Sequence, residues 1–73
     1  MMFKTTDEQR ARLCGIAIEM AVAGLPADFI VAAVDVASEC EATFELMAIW
    51  ANETDSGERA QTLACIQEMI DEK

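Results

Sequence analysis

Apolar residues along this chain recur at intervals of three and four, the spacing of helices that turn one face inward, and no stretch alternates as a strand does. Thr5-Thr6-Asp7-Glu8 marks the first helix start. Thr5 with Glu8 three residues on fits a capping box, and Asp7 and Glu8 suit the positive end of the helix dipole. Gly24 fits the left-handed position after the helix cap, with Leu25 folding back onto Met20 and Pro26 barring continuation. The first helix is therefore expected near 6–23.

Within it, Glu8, Arg12, Gly15 and Glu19 form a candidate solvent stripe, and everything else from Ala11 to Ala23 is apolar. A helix apolar around most of its circumference is normally enclosed. A chain of this length hardly encloses one of its own helices, so Ile18 and Val22 are expected at the interface of a homodimer or with an obligate partner.

Pro26 suits the first turn of a second helix, and Asp28 follows in the same turn. Ile30, Ala33, Ala37, Cys40, Phe44, Met47 and Ala51 form a seam at helical spacing. With no Gly or Pro inside it, one long helix from Pro26 to Ala51 is the reading favoured, spanning roughly 39 Å. Ser38 with Glu41 is a second possible capping box, so a break near Ser38 is the alternative. The cluster Asn52-Glu53-Thr54-Asp55-Ser56-Gly57 is a turn, with Asp55 or Ser56 as cap of a last helix that carries Ala60, Leu63, Ile66, Met69 and Ile70 inward. The expected fold is all-α, a small bundle of three or four helices with one long central helix, formed as a single domain over 1–73.

Charge changes the picture most. Between Arg12 and Arg59 there is no Lys, Arg or His, yet nine carboxylates. Residues 1–24 sum to zero, residues 25–56 to −7 and residues 57–73 to −2. Net charge bears on solubility and partner choice. A chain at −9 repels nucleic acid and anionic membrane, and a basic protein surface is its natural complement. At 53 % hydrophobic residues the excess sits on a foldable sequence rather than a disordered acidic tail.

On a continuous second helix, Asp28, Asp35, Glu39 and Glu53 fall within about 40° of one another, opposite the seam. Leu46 and Trp50 land on the same side, and Glu41 and Glu45 add to the acidity. An acidic ridge interleaved with apolar groups is thus expected, with Trp50 as anchor, because tryptophan is enriched at binding hot spots. The competing reading puts Leu46 and Trp50 in the core if that helix bends or breaks.

Candidate chemistry is sparse. There is no His or Tyr to activate Ser38, Ser56 or a cysteine. Cys14, Cys40 and Cys65 lack the close pairing of a disulfide framework or zinc site, and are expected to be reduced, buried packing groups. A calcium loop aligned on Gly57 puts Leu63 where the bidentate Glu belongs. Asn52-Glu53-Thr54 matches a glycosylation sequon, but the opening residues carry no signal sequence, and the run from Ile16 to Val34 is interrupted by Glu19 and Asp28. A cytoplasmic, non-enzymatic protein without metal or cofactor is expected. Its expected partner is a basic, nucleic-acid-handling protein, and inhibitors of restriction or CRISPR interference are one class whose work such a surface suits. The alternative is a dimeric helical adaptor or antitoxin-like subunit whose acidity serves solubility.

Overall fold

The computed structural model describes residues 5–72, which form four helices: α1 (Asp7–Val22), α2 (Ala27–Ala37), α3 (Glu41–Asn52) and α4 (Ser56–Asp71). The all-α expectation holds. The single central helix does not, because the chain breaks over Ser38, Glu39 and Cys40. Three β-branched residues, Val31, Val34 and Val36, weaken helix propensity before the break. The Ser38 hydroxyl then donates to the Asp35 carbonyl at 2.7 Å, a local bond that competes with the helical ladder. The break also places Glu41 in the first turn of α3, where the dipole favours a carboxylate. The Ser38–Glu41 capping box does not form; Cys40 is the N-cap, without a side-chain cap bond.

The other boundaries follow local chemistry. The capping box of α1 lies one residue later than Thr5–Glu8: the Thr6 hydroxyl accepts from the Gln9 amide at 3.2 Å, and the Gln9 side chain accepts from the Thr6 amide at 2.9 Å. At the other end Gly24 takes φ +90. Its amide donates to the Ala21 carbonyl while that of Leu25 donates to Met20, satisfying two otherwise unpaired carbonyls. Asp55 caps α4 as expected, its carboxylate accepting from the Glu58 amide at 2.9 Å.

α2 and α3 pack on each other, and α1 and α4 each pack on both, but α1 and α4 are not neighbours. One core joins Leu13, Ile16 and Met20 of α1, Ala33 and Ala37 of α2, Met47 and Trp50 of α3, and Ile66 of α4. Burying each large side chain contributes about 1.5–3 kcal/mol, so the four helices are held chiefly by this shared cluster. Leu63 and Ile70 of α4 flank it half-buried, Met69 is half-buried, and Ala60 is exposed. No helix of the described residues is long and apolar enough to cross a membrane.

Candidate protein-binding surface

The break resets the angular phase of everything after Ser38, and this reorganises the expected ridge. In α3 the buried positions are Thr43, Met47 and Trp50, with Leu46 half-buried against the core. Trp50 is only 2 % exposed, so it is a core residue and not a surface anchor. The outward face of α3 instead carries Glu41, Glu45, Ile49 and Asn52, all exposed at helical spacing. On α2 the corresponding stripe is Asp28, Val31 and Asp35, and Glu39 is exposed in the linker beyond it. Each helix thus presents carboxylates beside one bare aliphatic side chain, Val31 at 68 % exposure and Ile49 at 52 %. On the exposed side, these two residues stand where Leu46 and Trp50 were expected. Reading α3 as a separate helix, with Thr43 and Met47 as its inward pair, would have found Ile49.

Glu53 departs from the ridge in another way. It is half-buried at the end of α3, and its Oε1 accepts from the amides of Thr54 and Asp55, both at 3.0 Å. Its charge is spent on shaping the turn into α4. The same corner holds Arg59, whose guanidinium lies 4.2 Å from the centre of the Trp50 ring while its Nε donates to the Trp50 carbonyl at 3.1 Å. This cation belongs to the α3–α4 junction, and from Ala27 to Asn52 no basic residue interrupts the acidic stripes.

The cysteines are free, but not buried as expected: Cys14 and Cys65 are exposed and Cys40 is half-buried. Cys14 lies on the side of α1 opposite Leu13, Ile16 and Met20. Cys40 borders a cleft of about 240 Å³ with Val36, Glu39, Met69 and Glu72. Its thiol pKa is lowered, first by the Thr43 hydroxyl and then by the Thr43 amide, with a smaller contribution from the Ala42 amide, against an opposing effect of burial. These donors surround the position of a thiolate at the start of α3. The Thr43 hydroxyl oxygen is fully buried, without a well-formed hydrogen bond to any partner. No group of three or more Cys, Asp or Glu side chains among the described residues is arranged to hold a metal ion.

An apolar groove of about 410 Å³ separates Leu25, Pro26 and Phe29 from Ala60, Leu63 and Ala64 of α4. It carries no carboxylate at its lining, and none of the stripe residues lines it. What the exposed surface of α2 and α3 offers chemically is electrostatic and apolar contact. Compared with known proteins, the chain matches no family model, no curated protein and no solved structure at a significant level.

Proposed function

We propose that this chain is a non-enzymatic acidic interaction protein that docks on a basic, nucleic-acid-handling protein and keeps nucleic acid from that surface. Inhibition of a restriction or CRISPR-type complex is the form of this reading. The observation that carries it is the pair of stripes Asp28–Val31–Asp35 and Glu41–Glu45–Ile49, exposed on two successive helices with no cation on either. Carboxylates steer a basic partner and fix its orientation, and exposed aliphatic groups rimmed by charge suit contact with it. The experiment is retention of nucleic-acid-binding proteins from extract on the immobilised chain, at low and high salt, followed by competition with nucleic acid. Retention that is lost on raising salt and on adding nucleic acid is expected. Asp28→Lys combined with Glu45→Lys should slow association most at low salt, since exposed charges are screened beyond about 8 Å at physiological ionic strength. Binding indifferent to both salt and charge reversal would refute the reading.

A second reading, a self-associating helical adaptor whose acidity serves solubility, draws its support from Ile18 and Val22, exposed at 65 % and 83 %.

A further inference from the structure

α1 is apolar on two opposite sides. Leu13, Ile16 and Met20 are buried in the core, whereas Ala11, Cys14, Ile18 and Val22 share the opposite face and are exposed. α1 packs only on α2 and α3, so no described residue of another helix covers this face. Gly15 stands at its border, and a Cβ there would meet nothing within 4 Å. A glycine inside a helix costs about 1 kcal/mol relative to alanine, and no contact within the chain requires it.

Charge selects the occupant. α1 carries Arg10 and Arg12 against Asp7, Glu8 and Glu19, a sum of −1, while residues 25–56 carry −7, so this is the face on which two copies of a −9 chain repel each other least. A basic partner would meet Arg12 on its flank. Arg12 and Glu19 lie on the same flank of α1, two turns or about 10.5 Å apart, an arrangement that complements itself when reversed. We propose that the exposed face of α1 docks on the same face of a second copy, with the helices antiparallel and Arg12 of each meeting Glu19 of the other.

The register agrees with the apolar positions. A dyad between residues 16 and 17 sets Ala11 against Val22 and Gly15 against Ile18. The Arg12–Glu19 exchange centres one residue away, which leaves Arg12 of each copy about 3 Å along the axis from Glu19 of the other, within the reach of an arginine side chain. Two small residues thus face two large ones, and the exchange of charge happens twice. This pairing rests on the self-associating reading and leaves the acidic stripes of α2 and α3 free.

Light scattering on the intact chain over a range of concentration tests it, with helix content checked by circular dichroism. A dimer at high micromolar concentration is expected, and Ile18→Glu or Val22→Glu should each weaken it about tenfold or more. Arg12→Glu alone should weaken it too, and adding Glu19→Arg should restore it. Without any substitution, alkylation of Cys14 should slow as concentration rises, while that of Cys65 on α4 should not. A monomer at every concentration overturns both this pairing and the self-associating reading. A dimer indifferent to Ile18→Glu and to Cys14 alkylation overturns this face but leaves self-association standing. Failure of the double reversal to restore the dimer overturns the antiparallel register.

Discussion

The two ends of α3 are built differently. Its C-terminal corner is tied by side chains: Arg59 over the Trp50 ring and on the Trp50 carbonyl, Glu53 on two turn amides, and Asp55 on the Glu58 amide. Its N-terminal corner has no side-chain cap on α3: Cys40 is extended, and the Ser38 hydroxyl donates back to the Asp35 carbonyl. The first corner is therefore fixed by several interlocking bonds, while the second depends on the packing of α2 and α3 against the core. A break between helices needs no special residue if both pieces find the same core, but the orientation of a joint needs specific bonds.

The sharpest way to break this contrast is Trp50→Ala, which empties a site 2 % exposed and removes the ring beneath Arg59. Large-to-small changes of this kind cost about 3–5 kcal/mol, a large share of the stability of a small domain. Urea unfolding is expected to show either a midpoint lowered by that amount or no cooperative transition at all. A loss under about 1 kcal/mol would mean that the corner contributes little.

Arg59→Met keeps the apolar stem and deletes the charge. A desolvated cation–π contact contributes up to about 2 kcal/mol, and a charged hydrogen bond to a carbonyl about 1.5–3. Because Arg59 retains some access to water, the two together are expected to amount to a loss of about 1–2 kcal/mol, accompanied by a red shift of Trp50 emission. Unchanged stability and emission would show the contact to be incidental.

At the other end of α3 the expected effect is the smallest. The Cys40 pKa is lowered, so its thiolate contributes stability that is full above the ordinary thiol range and fades as pH falls through the folded value. The rate of Cys40 alkylation by iodoacetamide should have its pH midpoint below that of the same thiol in the urea-unfolded chain. Thr43→Val should move that midpoint upward, since it deletes the donor with the largest effect. Glu39 and Glu72 line the same cleft, and carboxylates close to a thiolate would raise its pKa. A midpoint at or above that of the unfolded chain would mean that they prevail.

Much of this architecture was legible in the sequence because it is local. Gly24 before Leu25-Pro26, and Asp55 three residues before Glu58, announce their own hydrogen bonds, and both form. The inward seam was legible as well: Ala33, Ala37 and Met47 are fully buried. What failed was phase. Carrying one helix through Ser38 rotates everything after it, which turned Trp50 outward and hid Ile49. The β-branched residues and Ser38 weaken a helix here without forbidding one, and the break is completed by two short helices packing on a shared core, a long-range fact. The cysteines failed for a related reason: treating them as apolar packing ignored that Cys14 stands on the face of α1 turned away from Leu13 and Met20. The acidic stripes were legible as charge, but their apolar members were misidentified and Glu53 was wrongly placed among them. The pairing of Arg59 with Trp50 joins residues nine apart across a turn, which no helical period reports.

Gly24 has a consequence of its own. Its φ of +90 lies where L-residues are strained, yet a Cβ built there meets nothing within 4 Å. The constraint at this turn is one of handedness rather than of size. Natural variation can offer only glycine or strain at position 24, because the residue that fits both the open space and the backbone is a D-amino acid, which the genetic code does not supply.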